Sequence, residues 1–250
     1  MARPGSTSEP TGSAAVLYVS ETLLAVDKPT GIIVHGDGTG APTLTGLIAE
    51  RIRGGSVPGV SPAQADELQA LQRLDRDTSG IVLFSLCKRT QGAYDRLIAE
   101  RSISKRYLAI ACGKIPWDER ALTWPIGRDR HDARRMRVSK TGKVAHTHAI
   151  VRDRRRVDGR WLTLLDVQLH TGRKHQIRVH LAHAGFPLLG DALYGAPDPR
   201  GLMLHAHELA FRDPVTGEPV RIVAPVPARM LALGTADVFL YILHRVAEEP

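Results

Sequence analysis

The strongest constraint on how this chain can fold is a polar run, residues 71–80, that leads directly into the apolar run of residues 81–86. The apolar run has the length and composition of a buried strand. The polar run places Arg73, Asp75 and Arg76 at the entrance to that strand. Charged groups there are costly to desolvate unless they are paired, so the segment favours a functional site. A surface turn with ion pairs between nearby side chains is the alternative interpretation.

Segments with strand patterns outnumber those with helix patterns. Strands are predicted at residues 16–19, 23–26, 32–34, 81–86 and 105–112, and helices at residues 43–53, 89–101, 173–184 and 227–246. Thr171 is the predicted N-cap of the third helix, and Gly185 with Pro187 is its predicted stop. This mix predicts an α+β fold, a single domain over residues 16–250 on a mixed, mostly antiparallel β-sheet flanked by helices. Residues 1–15 are rich in Ser, Gly and Pro, which predicts a disordered tail.

Composition and charge narrow the class of protein. The formal net charge is +8 and the isoelectric point is about 9.9, which favours a polyanionic partner such as nucleic acid, although many basic proteins bind none. Cys87 and Cys112 form no CxxC pair, so we expect reduced thiols in a cytoplasmic protein, without disulfides or zinc. No apolar stretch approaches the roughly 20 residues of a membrane span, and the N-terminus does not have the pattern of a secretory signal.

Arg178 lies on the third predicted helix beside an apolar stripe formed by Ile177, Leu181 and Ala184. The stripe must face the core, so a cation at its edge can reach inward to a buried carboxylate. Arginine suits that task because it stays charged and presents a rigid fork of donors. A solvent-facing arginine on a basic helix is the alternative interpretation.

The histidines of this helix and a tyrosine on a predicted strand are further candidates. His175, His180 and His183 do not have the i,i+4 spacing of a zinc-binding helix, and no HExxH motif occurs, so we expect no metal site. Tyr107 lies in a basic but otherwise apolar strand. Either its ring is buried and its hydroxyl satisfied, or the phenol meets a flat heterocycle, on which it stacks or with which it exchanges a proton.

Two basic runs, residues 128–143 and 152–156, are predicted to lie in turns or at exposed strand ends. Contacts to the phosphates of a nucleic acid would account for them, and solvated loops are the alternative. The chain contains no P-loop, no GxSxG nucleophile elbow and no dinucleotide-binding fingerprint. None of the enzyme classes that those motifs define is therefore indicated.

Taken in order, several separated motifs resemble those of the RluA-type pseudouridine synthases, which modify RNA. The resemblance covers roughly residues 16–227 and is strongest at residues 171–180, TGRKHQIRVH. The other matching segments are residues 26–31 with 34–35, 73–80, 105–109, 190–195, 204–206 and 213–214. Two positions depart from the family pattern: Gln72 stands where histidine is common, and Lys174 stands where a small hydroxyl residue is usual. These departures bear on positioning and target choice, and not on the class of reaction.

The resemblance implies a pseudouridine synthase fold and the isomerisation of uridine to pseudouridine in structured ribosomal or transfer RNA, with neither a metal nor an organic cofactor. It makes Asp75 the essential carboxylate, a nucleophile toward the sugar or the base, which Arg178 holds ionised and oriented. Tyr107 would stack on the uracil or take the proton from C5. Arg73 would fill the gap that the extruded nucleotide leaves.

The resemblance also implies a wider set of residues that contact RNA or take part in base flipping. They are Arg73, Arg76, Thr78, Arg173, His175, Gln176, Arg134, Arg135 and Arg137. We expect a monomer without membrane association. Two rival functions remain at this point: a non-catalytic RNA-binding protein on the same fold, which needs no Asp75, and a metal-dependent nuclease that uses Asp and His side chains.

Overall fold

The computed structural model describes residues 14–36, 38 and 40–233 of the 250-residue chain. In this part of the chain the strands are β1 Ala15–Val19, β2 Leu23–Lys28, β3 Gln69–Ala70, β4 Ser79–Ser85, β5 Ser104–Cys112, β6 Glu119–Leu122, β7 Ile126–Arg128, β8 Met136–Val138, β9 Thr147–Val157, β10 Arg160–Leu169, β11 Leu204–Arg212 and β12 Pro219–Val223. The α-helices are α1 Leu44–Arg53, α2 Gln91–Ala99, α3 Gln176–His183 and α4 Ala228–Leu231, and short 3-10 helices span Pro62–Asp66 and Lys88–Thr90.

A mixed sheet of ten strands lies at the centre of the described residues. Its order is β1-β2-β4-β11-β5-β10-β9-β6, with β12 added to β11 and β3 to β4, while β7 and β8 form a separate two-stranded sheet. Every pairing of these strands is antiparallel except that of β4 with β11, where Ser79 lies opposite His205 and Gly80 opposite Ala206. The prediction of an α+β fold on a mixed, mostly antiparallel sheet is confirmed.

Two helices pack on apolar clusters that flank the polar run at residues 71–78. α1 contributes Ile48 and Ile52 to a cluster with residues of β2 and β4. α3 inserts Ile177 and Leu181 among residues of β5, β10 and β11, as its apolar stripe predicted. Leu74 is partly buried and packs against both clusters. The polar run therefore lies at the junction of the two clusters, immediately before β4.

α3 begins later than predicted. It starts at Gln176, because His175 has a left-handed backbone with a φ of 56° and interrupts the helical geometry. The prediction of Thr171 as N-cap is wrong: its hydroxyl accepts from the His146 N–H at 2.8 Å and donates to Gln176 Oε1 at 2.7 Å. These bonds fix the loop before the helix instead. The predicted stop is confirmed, since Gly185 follows the helix with a φ of 90°.

The two ends of the described chain differ slightly from the prediction. β1 starts at Ala15, and Ala14 before it is fully buried, so both residues belong to the domain and not to the predicted tail. α4 covers the start of the predicted helix at residues 227–246, whose part after residue 233 lies outside the described residues, as do residues 1–13. None of the helices in the described ranges has the length and apolar character that crossing a bilayer requires.

We predict that Gly80→Ala strongly destabilises the fold. Gly80 has a φ of 112°, and a Cβ at this position would lie 2.2 Å from the carbonyl oxygen of Ala206 across the parallel pairing. The clash and the unfavourable backbone together should lower the free energy of unfolding by about 3 kcal/mol or more. Urea denaturation followed by circular dichroism measures this change.

The matched control is Gly92→Ala in α2, where a Cβ would meet no atom within 4 Å. Replacing an unstrained helical glycine by alanine stabilises a protein by about 0.5–1 kcal/mol. Equal stability of Gly80→Ala and the wild type would contradict the close approach of β4 and β11.

Candidate active site

A cavity of about 1070 Å³ opens between the polar run, strand β5 and the segment that leads into α3. Asp75, Tyr107 and Arg178 all line it. The three side chains that sequence analysis assigned to catalysis come from distant parts of the chain and meet around one cavity. This is the arrangement that the predicted site requires.

Arg178 joins two carboxylates in the wall of the cavity. Its Nη1 donates to Asp75 Oδ2 at 3.2 Å, and its Nε and Nη2 donate to the two oxygens of Asp191 at 2.8 and 2.7 Å. The side chains of Arg178 and Asp191 are 5% and 0% exposed, whereas that of Asp75 is 23% exposed. The guanidinium therefore fixes one oxygen of Asp75 from the interior and leaves the carboxylate accessible from the cavity.

Asp191 anchors this arginine to the backbone. Asp191 Oδ1 also accepts from the N–H groups of Leu193 and Tyr194 at 3.0 and 3.1 Å. Burial opposes the charge of Arg178, but the carboxylates of Asp191 and Asp75 outweigh it and raise the pKa of the guanidinium. Arg178 is therefore a fixed cation. Sequence analysis did not single out Asp191, although it lies in the family-like segment at residues 190–195.

His175 packs beside Asp75. Its Nε2 lies 3.8 Å from Asp75 Oδ1, and its Nδ1 shares a 2.7 Å hydrogen bond with the Tyr194 hydroxyl, which accepts from the Met136 N–H. Burial lowers the pKa of His175 despite the raising effect of Asp75, so the imidazole is neutral near pH 7. His175 therefore adds no second cation next to the carboxylate, and its ring faces the site from the interior.

Lys28 holds the segment that carries Asp75 onto the sheet. Its side chain is fully buried at the end of β2. Its Nζ donates to the carbonyl oxygens of Pro29, Ile32 and Arg76 at 2.8, 2.9 and 2.9 Å. The three donors of an ammonium thus meet three carbonyls, one of which belongs to the residue directly after Asp75. Lys28 is a positioning residue that sequence analysis did not assign.

Tyr107 presents a neutral phenol to the cavity. It projects from β5 and is 8% exposed. Burial, reinforced by the nearby charge of Asp75, raises the pKa of its hydroxyl, so the group stays protonated at neutral pH.

Thr78 lines the same cavity, and its buried hydroxyl has no hydrogen-bond partner among the described residues. A buried hydroxyl without a partner is unusual in a folded protein.

The side-chain amide of Gln176 is hydrogen-bonded within the protein. The residue is 3% exposed. Its Oε1 accepts from the Thr171 hydroxyl and the Arg173 N–H, and its Nε2 donates to the His146 carbonyl and the Thr147 hydroxyl. Gln176 thus holds the loop before α3 and also lines the cavity, and its contact with RNA stays a prediction.

The predicted RNA-binding arginines divide into two groups. The first group lines the cavity and consists of Arg73, Arg76, Arg134 and Arg173. Arg135 and Arg137 lie near or on β8 and are not part of the cavity wall. The Arg135 guanidinium lies 5.2 Å from the centre of the Tyr194 ring, and Arg134 forms a 2.8 Å ion pair with Asp132 at the surface. The cavity thus has a cationic rim, and the β7–β8 region adds further positive charge beside it.

No group of three or more histidine, cysteine or carboxylate side chains suited to holding a metal ion occurs within residues 14–36, 38 and 40–233. His180, one of the helix histidines, is fully buried. Its Nε2 donates to the Trp124 carbonyl at 2.8 Å, and its Nδ1 lies 3.0 Å from the Thr147 hydroxyl. Both ring nitrogens of His180 therefore serve the interior of the protein.

Comparisons with known proteins point in the same direction as this geometry. The family model described as RNA pseudouridylate synthase matches residues 22–183, which is more than half of the chain. The chain is 36% identical over 229 residues to the uncharacterised RNA pseudouridine synthase YlyB of Bacillus subtilis, covering 87% of this chain and 71% of that protein. It is 36% identical over 237 residues to the ribosomal large subunit pseudouridine synthase D of Xanthomonas campestris, covering 88% and 68%. Among solved structures, the human RNA pseudouridylate synthase domain containing 1 matches with a TM-score of 0.74 at 25% identity, over 97% of this chain and 98% of that one.

We predict that Arg178→Lys lowers the turnover of RNA uridine at least about 100-fold. An ammonium cannot replace the fork that holds Asp191 through two nitrogens and Asp75 through a third. Misplacing a reacting group by about 1 Å has an effect of this order. Mass-spectrometric quantification of pseudouridine in single-turnover reactions measures the loss.

The control for this variant is Arg200→Lys, which alters a similar fork outside the cavity. Arg200 holds Asp198 through two nitrogens at 2.7 and 2.8 Å. We expect this control to keep the turnover of the wild type. Unchanged turnover in Arg178→Lys would show that the guanidinium fork does not position Asp75.

We predict that the buried Lys28 makes stability rise with pH. Burial lowers the pKa of Lys28 from 10.5 to about 8, against the raising effects of Asp77 and Asp75. Between these two values the unfolded chain binds a proton that the folded chain has released, so the free energy of unfolding rises with pH. Relative to Lys28→Met, the wild type should gain about 2 kcal/mol from pH 8 to pH 10.

Urea denaturation at each pH measures this difference, and the exposed Lys88→Met serves as the control. The control should follow the pH profile of the wild type. Parallel profiles for the wild type and Lys28→Met would mean that the buried amine keeps its proton throughout this range.

Proposed function

Because the chain belongs to the RNA pseudouridylate synthase family, and is thus an isomerase acting on uridines in RNA, we propose that Asp75 is the carboxylate that acts on the target nucleotide. The observation that carries this proposal is the 3.2 Å contact between Arg178 Nη1 and Asp75 Oδ2. It holds an accessible carboxylate in one orientation at the wall of the cavity. A non-catalytic RNA-binding protein has no need of such an arrangement.

The proposed reaction keeps every atom of the uridine. The N1–C1′ bond breaks, the uracil turns, and a C5–C1′ bond forms, while C5 gives up its proton and N1 gains one. Positive charge develops at C1′ as the glycosidic bond breaks, and a carboxylate can stabilise or trap it. Asp75 suits this task because Arg178 engages Oδ2 and not Oδ1. An isomerisation consumes no co-reactant, and the resemblance to the family implies neither an organic cofactor nor a metal.

Tyr107 is assigned to contact with the uracil. Its neutral phenol in the cavity wall supports stacking, which contributes about 1–3 kcal/mol per base. The alternative role is relay of the C5 proton through its hydroxyl, which gives its own proton to water or to another base as it accepts this one. Tyr107→Phe keeps the ring and separates the two: lost turnover with unchanged RNA affinity would assign the proton to the hydroxyl.

The proposed substrate is a structured ribosomal or transfer RNA. The net charge of +8 and the arginines at the rim of the cavity support a polyanionic substrate. Two relatives with 36% identity are named ribosomal large subunit pseudouridine synthase D, which favours ribosomal RNA.

Extrusion of a uridine from its stack costs a few kcal/mol, and the exposed Arg73 at the rim is proposed to fill the gap. We propose that the protein acts as a monomer in the cytoplasm, where its RNA substrates and its reduced cysteines are expected.

We predict that Asp75→Asn abolishes pseudouridine formation, with a loss of at least about 1,000-fold, and leaves RNA affinity within a few-fold of the wild type. The amide keeps the size of the side chain but cannot act as a nucleophile or stabilise a cation. Chemical mapping of pseudouridine in cellular RNA, with and without the gene, identifies the target. An RNA hairpin that carries the mapped uridine is then used to measure turnover, and its affinity for the protein is measured by fluorescence anisotropy.

Asp95→Asn is the matched control, because Asp95 is an exposed carboxylate on α2. It should leave both measurements unchanged. Full activity in Asp75→Asn would end the mechanistic proposal, and turnover that EDTA abolishes would favour a metal-dependent enzyme.

A further inference from the structure

Part of the wall of the cavity is a region near the end of α2 that we call the α2 arm. This region is lined by Leu71, Ile98, Ala99, Arg101, Ile103 and Lys105. It contains two cations and no carboxylate. The cavity volume of about 1070 Å³ is at the upper end of the roughly 300–1,000 Å³ that is typical of small-molecule sites. There is therefore room for more of the RNA than the target nucleoside alone.

Lys105 is a cation without a counter-ion within the described part of the chain. It lies two residues before Tyr107 on β5, so the two side chains share one face of the strand about 7 Å apart. Arg106 between them is held by Asp166 at 2.5 Å. The side chain of Lys105 has no hydrogen bond or ion pair with any described residue. Burial lowers the pKa of its ammonium, and no neighbouring carboxylate opposes that effect.

An unpaired ammonium in a partly buried position is unfavourable unless an anion compensates it. The compensation that Arg178 obtains from two carboxylates is absent around Lys105. A bound anion would supply it. The position of Lys105 beside Tyr107 therefore indicates that the anion is part of the substrate.

Arg101 lines the same arm from a strained position. It follows the cap of α2 with a φ of 58°, where glycine is the usual residue and a side chain is disfavoured. Its N–H donates to the Ile98 carbonyl, and the Ser102 N–H donates to the Leu97 carbonyl, both at 3.1 Å. A charged residue at a position that favours glycine points to a function of its side chain.

We propose that Lys105 and Arg101 bind a backbone phosphate of the nucleotide next to the target uridine. This inference rests on the proposed function. A uridine that enters the cavity brings its flanking phosphates with it, and Asp75 would repel a phosphate seated close to the reacting sugar. The α2 arm is a part of the cavity that combines two cations with no acid, and it includes Lys105, two residues before Tyr107 on β5. Its contribution is to affinity and to the register of the RNA, and not to the chemical step.

The first test uses Lys105→Met with a hairpin RNA that carries the mapped uridine. We expect KM to rise about 10-fold while kcat stays within about two-fold, because one charge-assisted contact to RNA is lost. Lys105→Arg should restore most of the affinity. Lys88→Met, at an exposed lysine outside the cavity, is the control and should match the wild type. A fall in kcat without a change in KM would overturn the binding role.

Arg101→Gly provides a test in which stability and function should change in opposite directions. Glycine relieves the backbone strain, so the melting temperature should rise. Loss of the charge should raise KM several-fold. A higher melting temperature with an unchanged KM would remove Arg101 from the proposed site, and so would a lower melting temperature, since the strain argument would then be wrong.

Neutral methylphosphonate linkages locate the contact on the RNA. Each phosphate that flanks the target uridine is replaced singly in the hairpin. The wild type should lose affinity at one of the two positions, and Lys105→Met should lose nothing further there. If Lys105→Met loses as much affinity as the wild type at both modified positions, the effects of the variant and of the linkage are additive and the contact is overturned. If the wild type converts uridine and Lys105→Met has the same KM, this inference fails and the proposed function stands; if the wild type converts no uridine in any RNA, the proposed function itself fails.

Discussion

The rest of the site depends on one guanidinium that is shared between two carboxylates. Arg178 reaches from α3 to Asp191 with two nitrogens and to Asp75 with a third. Buried ion pairs are tolerated only when their remaining hydrogen-bonding groups are satisfied, and Asp191 meets this condition through two backbone N–H groups. Three separate segments of chain are thereby joined at one point. The orientation of Asp75 is consequently a property of the folded core and not of a surface loop.

The segment that carries Asp75 has almost no regular structure, yet it is fixed at several points. The Nζ of Lys28 donates to the carbonyl oxygen of Arg76, and Leu74 packs against both neighbouring apolar clusters. At its end, Gly80 lets β4 approach β11 more closely than any residue with a Cβ could. The rigidity of this part of the site therefore comes from tertiary contacts on each side, which is the support that an active-site geometry needs.

Features that follow from short-range sequence patterns were predicted correctly. The apolar stripe of α3, its stop at Gly185 and the mixed character of the sheet follow from periodicity and turn chemistry, and the edge position of Arg178 led to the expectation of a buried carboxylate partner. Shortly before Asp75 the chain forms only the two-residue strand β3. Asp191, the three carbonyl partners of Lys28 and the loop-holding role of Gln176 were not predicted, because each depends on which distant backbone groups the fold brings near. The family resemblance named Asp75 but did not indicate how it is held.

The parallel contact between β4 and β11 also bears on the stage of synthesis at which the active site can be complete. Ser79 and His205, which bond at 2.9 Å across this contact, are separated by 126 positions in the chain. Closing such a long loop costs more entropy than closing a hairpin, so we expect this pairing to form after hairpins such as β9 with β10. Arg178 and Asp191 both precede β11, so the groups of the site are synthesised before the strand that closes the sheet around them. A nascent chain is therefore expected to remain catalytically silent until nearly all of the domain has left the ribosome.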